Sequence, residues 1–232
     1  MITRDQERRM VAMVRRLLIN REEAAGGVGY RYFHTMRVYN TAKALLGSDE
    51  VRGRKVDRDA VLVAALFHDI GRTAYKTIDP EMPGHDRKSA EFIRKNLGGI
   101  VGADLANRAA DLMDDYDDYG KLYLEKDILV SADILDKFGA LNIWRSFVYG
   151  AYKKLNAKDR MDYYQRHEER QWEKELLRVF RIKIARKLAE RRLKVTKDFI
   201  RELQREYDGK DVLSIVKGGR SRPARRRVRG KL

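Results

Sequence analysis

The chain has 232 residues, with 51 Lys and Arg against 35 Asp and Glu, for a net charge of +16 at pH 7. Its 43% hydrophobic content sustains a core, so the whole chain is not disordered, and its 37% charged content exceeds the usual quarter or so. The absence of cysteine excludes disulfide frameworks, thiolate metal sites and cysteine nucleophiles. No apolar run approaches the roughly 20 residues of a membrane span, and MITRDQERRM lacks the apolar core of a signal peptide; a cytoplasmic protein with no membrane association is expected.

Residues from about Asp5 to Asn20 carry Met10, Met13, Val14, Leu17 and Leu18 at helical spacing and predict an amphipathic helix. The stretch AAGGVGY, Ala24 to Tyr30, reads as a loop, and a second helix is expected from about His34 to Leu46. Asp57 or Asp59 caps a third helix that ends near Gly71. TIDPEMPGHD holds two of the three prolines and reads as a turn-rich loop; the helix after it, about Arg87 to Leu97, is expected to stop at Gly98-Gly99. Helices near Ala103 to Asp114 and Glu125 to Phe138 flank an acidic loop containing Asp117, Asp118 and Gly120. From Asp159 to about Tyr207 the pattern is helical and highly charged, with Leu176, Leu177, Phe180, Ile184, Leu188 and Leu193 forming its apolar stripe. No alternating strand segment of any length occurs. The expected fold is all-α: a helical core over residues 1–150 that carries the metal site, a helical extension over 151–216 packed on it, and a disordered Arg-rich tail over 217–232.

That tail, KGGRSRPARRRVRGKL, holds eight cations and no anion, half of the net excess. Such a block repels itself and has little to bury. Two readings stand for it: a solubilising tail, or a weak, salt-sensitive grip on the phosphate backbone of nucleic acid. With few aromatics among the cations, base stacking is not indicated.

The most informative stretch is VLVAALFHDIGR, Val61 to Arg72, where the greasiest segment of the chain runs straight into an imidazole and a carboxylate. An unpaired buried carboxylate is costly, and a bound cation would remove that cost. Candidate ligands are His34, the pair His68-Asp69, and Asp133, each on a predicted helix in an apolar setting. Adjacent residues on a helix diverge by about 100° but can converge on a cation beside the last turn, where the helix dipole favours positive charge. Two imidazoles with two carboxylates suit one divalent transition metal: Mn, Fe, Co, Ni or Zn.

His34, then His68-Asp69, then Asp133 in SADILDKFG resembles the HD-domain superfamily of metal-dependent phosphohydrolases, named for its His…His-Asp…Asp signature. HTMRVYNTA, AALFHDIGR, GHDRKSAEFI and ADILDKFGALNIWRSFVYG are similar to a branch of small stand-alone HD hydrolases that includes nucleotide pyrophosphohydrolases, over roughly residues 5 to 207. The resemblance implies a helical fold with the ligands on three helices and hydrolysis of a phosphate ester or phosphoanhydride of a nucleotide or related small molecule by a metal-activated water. By position, His34, His68, Asp69 and Asp133 match the metal ligands, and His85 matches a histidine that serves a second metal or the substrate. The further histidine of two-metal members is absent; LMDDYDD places Asp114 and Asp115 there instead, and one metal is favoured over two.

Around this set, Asp69 and His85 are the expected catalytic groups, and Arg72 and Lys76, one helical turn apart, the expected cations for phosphate charge. Asp136 is expected to orient a ligand imidazole from behind, with Arg37 on the same helix face as His34. His167, in the charged stretch RHEER, reads as a solvated side chain. DDYDDYGKLYLE fails as a calcium loop in either register, and AAGGVGY lacks the lysine and preceding strand of a phosphate loop. The competing functional readings are a phosphodiesterase for cyclic or oligonucleotides, and a degenerate HD scaffold that binds nucleic acid through its basic C-terminus.

Overall fold

Capping chemistry sets where the helices begin. Thr3 accepts from the Gln6 N–H while the Gln6 side chain accepts from the Thr3 N–H, a reciprocal box that opens α1, Arg4–Leu18 and contributes about 1 kcal/mol. The second helix, α2, spans Tyr30–Gly47 and starts four residues before His34. Asp57, rather than Asp59, caps α3, Arg58–Phe67, accepting from the Ala60 N–H at 3.0 Å. A 3-10 turn, Ile70–Ala74, follows directly. Next come α4, His85–Val101, and α5, Ala103–Asp114. The computed structural model describes residues 1–76, 82–114, 116, 123–169 and 172–218.

Beyond these, α6 runs Leu124–Ile134 into a second 3-10 turn, Leu135–Lys137. The remaining helices are α7 (Ala140–Tyr152), α8 (Ala157–Glu169), α9 (Trp172–Arg178), α10 (Lys183–Tyr207) and α11 (Lys210–Gly218). The fold is all-α, with no strand among the described residues. The chain divides into two compact units, Met1–Thr196 and Lys197–Leu232. No helix among the described residues is long and apolar enough to cross a membrane. The loop residues Asp117, Asp118 and Gly120, the side chain of His167 and the tail beyond Gly218 lie outside the described residues.

One boundary differs from expectation. α4 does not stop at Gly98-Gly99 but runs on to Val101 and ends where Gly102 takes φ 90°. Glycine inside a helix costs about 1 kcal/mol without forbidding it, and burial of Ile93 and Leu97 against α5 outweighs that cost.

In the first unit α3 is the central element. Val61, Val63, Ala64, Ala65, Leu66 and Phe67 are fully buried, and the helix packs against α2, α5 and α6. A helix buried on all sides needs no amphipathic pattern, which accounts for the unbroken VLVAALF. Its C-terminal end therefore opens inside the molecule, beside α2 and α6, and brings His68 and Asp69 with it.

Candidate metal centre

His68 is the C-cap of α3 (φ −55°), and Asp69 leaves the helix at φ −100°, ψ 3° before the 3-10 turn. This break lets two neighbouring side chains meet: His68 Nε2 and Asp69 Oδ2 are 3.3 Å apart. The turn is held against α4, where Ser89 Oγ accepts from the Gly71 N–H (2.9 Å) and donates to the His68 carbonyl (2.6 Å). Only glycine fits at position 71, because a Cβ there would lie 1.9 Å from the His85 carbonyl oxygen.

His34 enters from α2 and Asp133 from α6. Their contacts converge: His34 Nε2 lies 3.2 Å from His68 Nε2, 3.1 Å from Asp133 Oδ1 and 3.4 Å from Asp69 Oδ2. His68 Nδ1 sits 2.9 Å from the Ala65 carbonyl, which only accepts, so its hydrogen is on Nδ1 and its Nε2 lone pair faces the cluster. His34 Nδ1 likewise donates to Asp136 Oδ2 at 2.8 Å. Two ring nitrogens and two carboxylate oxygens aimed at one point need positive charge among them, which a proton on His34 Nε2 supplies in the metal-free protein and a bound cation would supply in its place. The donor set therefore fits a divalent ion, with mixed nitrogen and oxygen ligands of the transition-metal kind.

The surrounding charges are arranged to keep these carboxylates ionised. Burial disfavours the charged form of Asp69, but Arg31 (2.5 Å) and Arg72 (2.7 Å) outweigh it and hold its pKa well below the usual range. Arg31 is itself anchored by the buried Glu23 at 3.0 Å. For Asp133, burial is outweighed by His34, and Tyr116 donates to its second oxygen at 2.7 Å. Asp136 receives both arms of Arg37 (2.9 and 2.7 Å), which with His34 depress its pKa against burial. His34 responds in the opposite sense: burial lowers its pKa, but bonds to Asp133, Asp136 and Asp69 raise it well above 6.5.

The structure thus brings together His34, His68, Asp69 and Asp133, with Asp136 and Arg37 behind His34. His85 lines the same cavity; its Nδ1 donates to the Met82 carbonyl, and its Nε2 lies 3.4 Å from Asp69 Oδ1 and 3.3 Å from an Arg72 amine. Lys76 is not brought in. It is exposed and outside the cavity lining, because the chain leaves the 3-10 turn at Tyr75 in extended conformation and helical spacing from Arg72 no longer applies. Asp114 is exposed on α5, paired with Arg94 of α4 and absent from the cavity lining; Asp115 lies outside the described residues.

Sequence reasoning missed three features. Glu23 and Arg31 form a buried anchor for Asp69, and Tyr116 one for Asp133. The third is a whole wall of the cavity, which has a volume of about 400 Å³: Arg145, Ser146 and Tyr149 from α7 and Arg160, Tyr163 and Tyr164 from α8. Arg31 was findable in principle, three residues before His34 on one helix face.

The sequence model of the HD domain matches residues 31–139, the segment that holds all four converging side chains. Residues 31–139 of the chain thus carry an HD domain. Solved structures share its HD-domain fold. YpgQ of Bacillus subtilis is 23% identical over 87% of this chain and 95% of its own, with a TM-score of 0.62. A predicted HD superfamily hydrolase from an uncultured Thermotogales bacterium is 22% identical over 86% and 92%, with a TM-score of 0.59. YpgQ is also known in complex with ADP, a structure that matches this chain at 22% identity over 84% and 97%, with a TM-score of 0.58. No curated protein matches the chain in sequence. The HD domain supplies the imidazole and carboxylate side of the cavity; the α7 residues beyond 139 and all of α8 lie outside it.

Proposed function

We propose that the protein is a metal-dependent phosphohydrolase that cleaves a phosphate ester or phosphoanhydride of a nucleotide or related small molecule. The observation that carries this reading is the convergence of His34, His68, Asp69 and Asp133 at the floor of a cavity lined by arginines. One divalent metal held by these four would supply Lewis acidity toward a phosphoryl oxygen and a water. The chain does the rest. Asp136 and Arg37 fix the tautomer and plane of His34, and Arg31 and Arg72 fix Asp69. Arg72 reaches both Asp69 and His85, so its guanidinium sits at the cluster edge, where it can neutralise charge gathering on phosphate oxygens. His85, with its hydrogen held on Nδ1 by Met82, presents Nε2 as an acceptor for a proton released in the cavity. The complex of YpgQ with ADP supports a nucleotide as the substrate class.

Elemental analysis of the purified protein, with turnover on a nucleotide panel, tests the proposal. The double variant His68→Ala, Asp69→Ala is expected to remain helical, lose bound transition metal and lose all hydrolysis. Its thermal stability should fall as well, because a cation bound only by the folded state stabilises it. Stoichiometric metal retained in that variant would overturn the ligand assignment.

A further inference from the structure

We infer that Arg145, Ser146 and Arg160 form a phosphate subsite outside the HD domain, which takes a phosphate group of the substrate other than the one being cleaved. The inference rests on the phosphohydrolase reading for its second half, the distinction between two phosphates, but the subsite itself stands on separate residues.

Arg160 sits in the first turn of α8, a helix whose start is fixed by reciprocal bonds between Asn156 and Asp159. Its residue exposure is only 6%, yet among the described residues no carboxylate pairs with it. Its amine donates to Ser146 Oγ, its guanidinium stacks on Tyr163 at 4.3 Å, and its Nε is buried with no partner. Gly150 of α7 makes room for this placement, since a Cβ there would come within 2.6 Å of the Arg160 Cδ. Arg145 lies five residues before Gly150 on α7 and, among the described residues, also has no carboxylate partner; it donates to Tyr30 Oη at 3.0 Å and Asn142 Oδ1 at 3.2 Å. A guanidinium kept from water without a counter-ion is a costly arrangement. It becomes favourable when an anion binds, and a planar fork of donors beside a hydroxyl matches phosphate oxygens.

Position relative to the metal centre gives the subsite its meaning. The Tyr30 ring stacks on the His34 imidazole (centroids 6.0 Å apart, planes at 14°), and Arg145 holds the hydroxyl of that same tyrosine. Arg145 is thus separated from a candidate ligand imidazole by one ring, and Arg160 is hydrogen-bonded to Ser146, the residue next to Arg145 in the chain. All of them line one cavity of about 400 Å³, which has the room of a nucleotide-sized ligand site. A substrate with its scissile phosphoryl group at the four ligands would lay a second phosphate against Arg145 and Arg160. The site is therefore built for a substrate with at least two phosphate groups rather than a simple monoester.

The test is titration calorimetry of inorganic pyrophosphate into the metal-free full chain. Wild type is expected to bind, and Arg160→Gln and Arg145→Gln are each expected to weaken binding by about tenfold or more. Arg160→Lys should recover part of the loss, and Arg9→Gln, an exposed control on α1, should bind as wild type. Absence of wild-type binding, unchanged binding in both cavity variants, or an equal loss in Arg9→Gln would each overturn the subsite. If Arg160→Gln fails to fold by circular dichroism, the Arg145→Gln titration decides alone. Metal-loaded protein then separates the two claims: Arg160→Gln should raise KM for ADP by about tenfold or more, and by a clearly larger factor than it raises KM for p-nitrophenyl phosphate. Equal losses on both substrates would refute the second-phosphate assignment. If wild type cleaves neither these nor any other nucleotide while still binding pyrophosphate through Arg160, the hydrolase reading fails and the anion subsite survives.

Discussion

The two walls of the cavity are built on opposite principles. On the HD-domain wall nearly every reactive side chain is tied from behind: His34 by Asp136 and Arg37, His68 by the Ala65 carbonyl, Asp69 by Arg31 and Arg72, Asp133 by Tyr116. On the α7–α8 wall Arg145 and Arg160 have, among the described residues, only neutral hydroxyl, amide or ring partners, and the Arg160 Nε has none. A cation site works only if its ligands hold their geometry to within tenths of an ångström, so side-chain freedom is removed in advance. An anion subsite needs donors left unsatisfied until the ligand arrives. The same cavity therefore carries a rigid, pre-satisfied face and a face with open hydrogen-bonding capacity.

The strongest way to break this contrast is to untie the rigid wall. Asp136→Ala removes the acceptor from His34 Nδ1 and strands the Arg37 guanidinium. Metal affinity, measured by competition with a chelator, is expected to fall by roughly 10–100-fold. If affinity is unchanged, the backing contacts are not what fixes the ligands.

His85 faces the boundary between the walls, and its replacement asks how many cations the rigid side holds. With Asp114 engaged by Arg94 on the surface of α5, His85→Ala is expected to lower turnover while leaving about one metal per chain. A drop from two metals to one on that substitution would show a second site and extend the rigid wall around His85.

A milder probe is Tyr116→Phe, which deletes one hydrogen bond to Asp133 and keeps the ring. A hydrogen bond to a charged acceptor contributes about 1.5 to 3 kcal/mol, and because water or the metal can take over part of that role, metal affinity should fall by only about tenfold. A larger loss than that of Asp136→Ala would reverse the order of importance assigned to the two supports.

How much of this was legible without coordinates divides along the same line. The all-α class, the HD-domain signature and the His34–Asp136–Arg37 grouping were readable because helical spacing and an apolar context make a buried histidine or aspartate conspicuous. Arg145 and Arg160 were not, because in a chain with 51 Lys and Arg no single arginine stands out until the fold buries it. α7 was itself obscured: Leu141, Trp144 and Tyr152 are exposed while Tyr149 faces the cavity, which blurs the stripe that marks a packed helix. Lys76 failed for a different reason. Its spacing from Arg72 assumed a helix that the chain leaves at Ala74, and a 3-10 turn cannot be told from the end of an α-helix by composition.

The smallest predicted effect lies away from both walls and serves as their control. Glu7 on α1 accepts from Lys43 Nζ at 2.8 Å and from Tyr39 Oη at 2.6 Å. The Lys43 bond first and the Tyr39 bond second hold its pKa below 4.5. As the pH falls, the unfolded chain takes up this proton before the folded one does. The contribution to stability is therefore full at neutral pH, declines as the pH drops through 4.5, and is gone below the folded-state pKa. Glu7 is about one-third exposed, so the cluster is worth less than about 1 kcal/mol. Glu7→Gln should lower the Tm by about 1–3 °C at pH 7, and the gap to wild type should close as the pH is lowered toward 3. Metal content and turnover should not change. A carboxylate held by a cation on the outer surface would then tune stability alone, whereas those held by cations in the cavity set the metal site; loss of metal in Glu7→Gln would erase that distinction.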